Sequence, residues 1–306
     1  MRARDLARLL PISLLAAITA VAVFDRARTR RQSDATAAHG GGATALVAAP
    51  PGSSGPPPLR GPTPPPVADV ARGARMLHGD RRHTHRAAAP GPRDARVAWR
   101  ADVGGPVAAQ VVTSPDEQTL YAATLAGDLV ALDTSGAPRW KLALGARVYS
   151  TPFVDDAGTI HVGTDGKLLY AVSPKGKVDW KLELDGEADS GVTRLDGLLI
   201  VAAGATVHAV RPGGDVAWRF RAKGKVFSQP AITADGLLVF GSQDDSVYAI
   251  DRAGRERWRV ALGADVDSSP CVADDGATYV GTDLGEVVKL DASGKIAWRT
   301  QVGGFV

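Results

Sequence analysis

Residues 246–258 read Ser246-Val247-Tyr248-Ala249-Ile250-Asp251-Arg252-Ala253-Gly254-Arg255-Glu256-Arg257-Trp258. A short apolar run ends at Asp251, a turn closes at Gly254, and the chain returns through a second short segment to a tryptophan. Runs of five or six residues rich in β-branched and aromatic side chains, bounded by Gly and Asp, are the signature of antiparallel strands joined by tight turns. The same order recurs along the chain, so the unit is one element of a repeat.

Tryptophan marks the period. The six in the chain are Trp99, Trp140, Trp180, Trp218, Trp258 and Trp298, spaced 41, 40, 38, 40 and 40 residues apart. A period near 40 with strand content signals propeller blades or a β-solenoid. Aligned on Trp, each unit reads as four short strands. One unit has an inner strand at 148–154, a turn at 155–158, a strand at 159–164, a reversal at Asp165-Gly166, a strand at 168–172, and a turn at Lys175-Gly176 leading to Trp180. The units at 228–258 and 268–298 repeat it, while the third departs most, with Val192 where the others have proline and Gly204-Ala205 at the reversal. The predicted class is all-β, a propeller of four-stranded antiparallel blades with five complete repeats and one extra outer strand at Trp99. A single blade cannot bury its own faces, so neighbouring blades must cover one another. A tryptophan on each outer strand is expected to dock between blades, against Ala131, Ala171, Ala209 or Ala249. Burying its ~150–250 Å² would contribute at most about 4–6 kcal/mol.

Strands ending Tyr248-Ala249-Ile250-Asp251, followed by Gly254 and Trp258, resemble the pyrroloquinoline-quinone-like (PQQ-like) propeller repeat. The segment Met76-Leu77-His78-Gly79-Asp80-Arg81-Arg82-His83-Thr84 also resembles the Gly-Asp-x-x-His-Thr lead-in that opens such propellers. The resemblance spans residues 76–306. It implies the fold, but fold does not fix activity. Members include quinoprotein dehydrogenases, BamB-type scaffolds of outer-membrane assembly, and extracytoplasmic sensor domains.

The N-terminal third has a different composition. Residues 1–98 carry fifteen Arg, no Lys and six Asp, so with a net charge of +3 the repeat region is acidic, at −6. Nucleic-acid binding needs Lys and Arg concentrated on the folded domain, and that class is not expected here. Arg2, Arg4 and Arg8 precede an apolar run at 9–24, followed by Arg26, Arg28, Arg30 and Arg31. Residues 1–32 are therefore read as an export signal, cleaved near Ala20-Val21-Ala22, or as a signal-anchor held in the inner membrane by 9–24. Residues 33–75, rich in Pro, Gly and Ala, lack the apolar side chains to offset ordering entropy and are read as a disordered linker. Residues 76–98 form the lead-in and 99–306 the propeller. The expected location is periplasmic or at the cell surface.

The chemistry expected of the repeat region is binding. Quinoprotein dehydrogenases stack their cofactor between a Trp and a vicinal disulfide and use Asn among the calcium ligands. This chain spends every Trp on the repeat, has one cysteine, Cys271, and has no Asn. No catalytic residue, cofactor or metal site is expected. His78, His83 and His85 with Asp80 offer zinc-binding side chains if His83 and His85 share a strand face, but the lead-in motif accounts for them as residues tucked under the propeller. Asp155-Asp156 and Asp274-Asp275 read as turn formers rather than calcium ligands. Nine residues after successive Trp stand Ala108, Tyr149, Asp189, Phe227 and Asp267, followed by Ala109 and then Ser150, Ser190, Ser228 and Ser268. The serines read as scaffold. Tyr149, Asp189, Phe227 and Asp267, with Arg147 and Lys225 two places earlier, vary as a recognition surface at the channel mouth. The expected function is a non-catalytic protein-binding scaffold with partners in the cell envelope, with envelope protein assembly as the expected setting, attached to the membrane through its N-terminal segment. The alternatives are a ligand-binding sensor ectodomain and, more remotely, a quinoprotein-type dehydrogenase. The blade count leaves an incomplete ring: either the chain continues past Val306 to finish a sixth blade, or five blades curl with the Trp99 strand added on.

Overall fold

A computed structural model of the chain describes residues 74–85 and 96–304. The expected export segment, the linker up to residue 73, and Phe305-Val306 lie outside the described residues. No helix among the described residues is long and apolar enough to cross a membrane.

Strands account for all the regular structure described. The first sheet comprises β1 (Val112–Thr113), β2 (Thr119–Ala123), β3 (Asp128–Asp133) and β4 (Pro138–Ala143). The second comprises β5 (Phe153–Val154), β6 (Ile160–Gly163), β7 (Leu168–Val172) and β8 (Val178–Glu183). The third comprises β9 (Thr193–Leu195), β10 (Leu198–Ala203), β11 (Thr206–Val210) and β12 (Val216–Arg221). The fourth comprises β13 (Ala231–Ile232), β14 (Leu238–Ser242), β15 (Ser246–Ile250) and β16 (Glu256–Ala261). The fifth comprises β17 (Cys271–Val272), β18 (Thr278–Gly281), β19 (Glu286–Leu290) and β20 (Ile296–Gln301). Each sheet is an antiparallel meander of sequence neighbours, the blade of a β-propeller. The Trp99 segment differs from expectation. Residues 96–111 form no strand and join no ladder among the described residues.

The inner strands are also shorter than the apolar run at 148–154 suggested: only Phe153 and Val154 enter the ladder. The preceding residues cannot extend the pairing, and a serine side chain takes over. Ser228 Oγ accepts from Gly241 N (3.1 Å), Ser190 Oγ accepts from Ala202 N (3.1 Å), and Ser268 Oγ both accepts from Gly281 N (2.8 Å) and donates to Gly281 O (3.0 Å). Buried backbone polar groups need partners. The serines supply them where the strands splay apart, so they do more than pack near the axis.

Successive blades are joined in three ways. Buried apolar residues fall into four clusters, each drawn mainly from two neighbouring blades; Ile200 and Val207 of the third, for example, meet Phe240 and Tyr248 of the fourth. Near the axis, backbone amides reach the preceding blade: Val148 N donates to Thr124 O (3.3 Å), Ala188 N to Thr164 O (3.2 Å) and Val226 N to Gly204 O (2.8 Å). At the periphery stands the tryptophan.

Every blade carries a register shift between its third and fourth strands, at Ala131/Leu132, Ala171/Val172, Ala209/Val210, Ala249/Ile250 and Lys289/Leu290. Such a bulge re-aims the side chain next to it. The alanines expected to receive the indole are its cross-strand neighbours, as in Ala249↔Trp258. The ring itself lies against a glycine of the next blade: Trp99 on Gly136, Trp140 on Gly176, Trp180 on Gly214, Trp218 on Gly254, Trp258 on Gly294. A Cβ on Gly254 would stand 2.7 Å from the Trp218 ring, and its φ of +75° already favours glycine. The indole N–H donates to the same turn, from Trp140 to Pro174 O (2.9 Å), Trp180 to Pro212 O (2.8 Å) and Trp218 to Arg252 O (2.9 Å). Trp298 meets no such glycine among the described residues and is 42% exposed.

Residues 74–85 cross the inner ends of the blades and cap their edges. The carbonyls of Ala74 and Arg75 accept from Thr113 N and Val154 N (both 2.9 Å), and those of Arg81 and Arg82 accept from Ile232 N (2.8 Å) and Val272 N (2.9 Å). Four inner strands thus gain a backbone partner from one segment. Arg75 pairs with Asp156 (2.7 Å) and Arg82 with Asp274, while Met76 is buried beside Phe153 and Leu169. Asp80 shapes the segment by accepting from Arg82 N (2.8 Å) and from the Thr84 hydroxyl. His83 is buried, and its Nδ1 donates to Pro270 O at 2.8 Å. The expected strand alternation of His83 and His85 is absent: His78, His83 and His85 have φ of 58°, 58° and 55°. The His78 ring nevertheless meets both others, at 5.1 and 4.0 Å between centroids.

Two predictions follow from these contacts. Trp218→Ala should lose about 3–5 kcal/mol, the usual range for a large aromatic removed from a packed site, whereas Trp298→Ala should stay within about 1 kcal/mol. Urea melts of the two variants check this; equal losses would defeat the glycine-docking account. The second prediction concerns acid. Burial, reinforced in His78 by the charge of His85, lowers His78 and His83 to about 4. Between that value and the ordinary 6.5, the unfolded chain binds protons that the folded chain refuses, so these residues' contribution is lost as pH falls through that window. Asp189, held up at about 7, has the opposite slope there. The check is therefore the difference between wild type and His78→Gln/His83→Gln. Between pH 7 and pH 5 the variant should lose less urea resistance than wild type.

Candidate binding site at the channel mouth

In every blade the residue seven places after Trp offers its carbonyl to the hairpin between the second and third strands. Leu125 N donates to Pro106 O (2.8 Å), Asp165 N to Arg147 O (3.0 Å), Gly204 N to Glu187 O (2.9 Å), Gln243 N to Lys225 O (2.8 Å) and Asp283 N to Asp265 O (3.0 Å). This repeated bond fixes the backbone at the mouth and leaves the side chains two residues later free to vary. Around the ring these are Ala108, Tyr149, Asp189, Phe227 and Asp267, alternately aromatic and acidic after the first.

Tyr149, Asp189 and Phe227 line one cavity of about 350 Å³, with Leu77 of the lead-in, Gln110 and Gln229 also in its wall. The other three candidates lie outside this lining. Arg147 Nε pairs with Asp165 Oδ2 at 3.1 Å. Lys225 Nζ stands 3.6 Å from Glu187 Oε2 and 5.7 Å from the centre of the Phe227 ring. Asp267 Oδ2 accepts from Gln243 Nε2 at 3.2 Å. The mouth thus has an aromatic and acidic interior with its basic residues at the rim, already paired.

Asp189 is the unusual acid. Burial, then its hydrogen bond to Asp165 and the like charges of Asp165 and Glu187, push its carboxyl up to about 7 against the opposing pull of Lys225. Its Oδ1 is buried and has no hydrogen-bond partner among the described residues. Gln110 and Gln229 escaped the sequence reading. A signal was present, because eleven places after Trp the chain runs Gln110, Thr151, Gly191, Gln229, Ser269 and varies as freely as the aromatic–acid column.

The other candidates fall into structural places. Among the described residues no group of three His, Cys, Asp or Glu side chains is arranged to hold a metal. Asp155 Oδ1 accepts from Ala157 N and Thr159 N (both 2.9 Å), and Asp275 Oδ1 accepts from Ala277 N (3.0 Å), bonds of ordinary turns. Asp156 and Asp274 receive the lead-in arginines. Cys271 is half-buried, and burial raises its thiol.

Comparison with known proteins places this geometry. No curated protein sequence matches the chain. Among solved structures it is similar to BamB from Moraxella catarrhalis, at 20% identity and a TM-score of 0.58, covering 66% of this chain and 64% of that one. It is also similar to the quinohemoprotein alcohol dehydrogenase from Comamonas testosteroni, at 14% identity and a TM-score of 0.67, covering 76% of this chain and 50% of that one. The chain spans less than two thirds of the length of either, and at these identities the likeness is one of fold. The family model described as outer membrane protein assembly factor BamB matches residues 84–236 and 243–306, so the chain belongs to that PQQ-like repeat family.

Proposed function

We propose that the chain is a non-catalytic, extracytoplasmic scaffold that binds a protein partner in envelope assembly through the channel mouth. One observation carries this reading: repeated backbone bonds hold the mouth rigid, while the column that lines its cavity carries the exposed Tyr149 and the partly exposed Phe227. Aromatic anchors on a fixed backbone are favoured in protein recognition, because little ordering entropy is lost on binding. Family membership supports an envelope partner, and the Arg-flanked apolar run at 9–24 supports export.

The quinone cofactor of the dehydrogenase relatives does not suit the residues present. That cofactor is a planar polyanion that needs stacking faces and cationic partners. The described indoles stand on the outer strands or at the start of the first blade, and five of them lie on glycines of the following blade. The cavity wall contributes Asp189 and no lysine or arginine. Mixing the full chain with calcium and pyrroloquinoline quinone should give no stoichiometric chromophore and no dye reduction with alcohols or aldose sugars. Either signal at one cofactor per chain would overturn the scaffold reading.

The partner itself is tested by affinity capture from cell envelopes with wild type and with Tyr149→Ala/Phe227→Ala. A stoichiometric protein should be retained by wild type and lost from the double variant. An unchanged set of captured proteins would sink the mouth as the interface, and capture of none by wild type would favour a small-ligand sensor.

A further inference from the structure

Two residues of the cavity wall, Asp189 and Gln229, each hold a buried side-chain acceptor with no donor among the described residues. Gln229 is 1% exposed, and its amide orientation is set by its neighbours: Nε2 donates to Val192 O at 3.4 Å, so the reversed amide would place oxygen against oxygen. Oε1 is then aimed along Gly191, where a Cβ would stand 1.8 Å away, and it finds no donor among the described residues. Gly191 lines the same cavity. Asp189 Oδ1 is a second buried acceptor with no partner among the described residues. The nearest basic groups do not meet these atoms, since Arg147 is engaged by Asp165 and Lys225 by Glu187.

An occupant must therefore bring donors. An anion would face Asp189, Asp165 and Glu187. An apolar group would leave both acceptors desolvated and unpaired, which is unfavourable. A donor-bearing cation answers both demands: the ring of Tyr149 attracts it through its negative face, as does the ring of Phe227, which already has Lys225 Nζ 5.7 Å from its centre. A cavity of about 350 Å³ is at the small end for ligand pockets and suits one long side chain.

We infer that the mouth receives a basic side chain of the partner protein, an arginine or a lysine, seated between Tyr149 and Phe227 with Asp189 and the Gln229 amide oxygen as its acceptors. The inference rests on the scaffold reading and adds the chemistry of what is recognised. It also carries a pH signature. The groups facing Asp189 are Asp165 and Glu187, which hold its proton on, and Lys225, which opposes them. A cation needs the ionised carboxylate, and with Asp189 at about 7 the ionised fraction rises roughly tenfold between pH 6 and pH 8.

The test is calorimetric titration of the full chain with blocked Gly-Arg-Gly, Gly-Lys-Gly and Gly-Gln-Gly peptides, and with agmatine as a free cation. The arginine or lysine peptide should bind, the glutamine peptide should not, and affinity should rise about tenfold from pH 6 to pH 8. Asp189→Asn should weaken binding at least tenfold and flatten the pH profile. Phe227→Leu, which keeps an apolar side chain, should weaken it severalfold at either pH. An Asp189→Asn variant that melts like wild type and binds like it overturns the inference, as does a flat pH profile in wild type. Binding of agmatine without either basic peptide overturns the assignment to a protein side chain. If envelopes yield a mouth-dependent partner while neither basic peptide binds, the inference fails and the scaffold reading stands. If the basic peptide binds and no partner is captured, the scaffold reading fails, and with it the assignment of the side chain to an envelope partner, while the preference of the mouth for a basic side chain stands.

Discussion

The structure depends on one contact, repeated: an indole lying flat on a glycine of the next blade, with its N–H bonded to the turn that contains that glycine at Trp99, Trp140, Trp180 and Trp218. A blade is a thin antiparallel sheet whose two faces both need cover, and its outer strand stands farthest from the axis, where blades diverge most. A small side chain there would leave a wedge open to water. Trp180 and Trp218 fill that wedge and also satisfy the carbonyls of Pro212 and Arg252. The bulge behind each tryptophan aims it, and the left-handed glycine makes the landing surface flat. Tryptophan, bulge and glycine occur together at Trp140, Trp180, Trp218 and Trp258 in the 38–41-residue unit.

The axis poses the opposite problem. There blades converge, the inner strands shorten to two or three residues, and their outer backbone edges face the channel. Unpaired edges are costly when buried and adhesive when exposed. The chain answers with one segment from before the first blade. The carbonyls of residues 74, 75, 81 and 82 close the edges of the first, second, fourth and fifth sheets. The segment must change direction sharply to reach all four. Three histidines in the left-handed region and an Asp80 that folds the turn onto Thr84 are the local consequence. The lead-in motif is thus a device for closing edges, and of its three imidazoles His83 is buried, bonded to Pro270 O of the fifth blade's approach.

Much of this was legible in the sequence, and the limits have physical causes. Tryptophan spacing gave the blade count and strand order, since the 40-residue period is set by geometry that any such blade shares. The landing surface was misread, because Ala249 and Trp258 are adjacent across a strand pair while Gly254 and Trp218 meet only across blades. Inner-strand length was overestimated because residues 148–154 have strand-like side chains throughout, and only the splay at the axis ends the pairing at Phe153. At the site, the column of Tyr149, Asp189 and Phe227 was found by its freedom to vary. Gln229 was passed over because the column eleven places after Trp was not read, although it varies from Gln110 to Ser269, and only the fold shows that it turns toward the cavity.

Where the chain breaks its own rules is informative. Across the scaffold, backbone groups are paired by strands, serines or the lead-in. At the mouth, Asp189 sits against Asp165 with its charge suppressed, and Asp189 Oδ1, Asp165 Oδ1 and Gln229 Oε1 are buried without donors among the described residues. Clustering carboxyls and orphaned acceptors in one place lowers the stability of the free protein. The docked tryptophans and the closed edges supply enough stability elsewhere to tolerate it. Local conflicts of this kind mark functional sites, because a partner that supplies the missing donors removes the cost only when it binds. The same strain makes recognition selective: a neutral or anionic side chain would leave the conflict in place, and a basic one would resolve it.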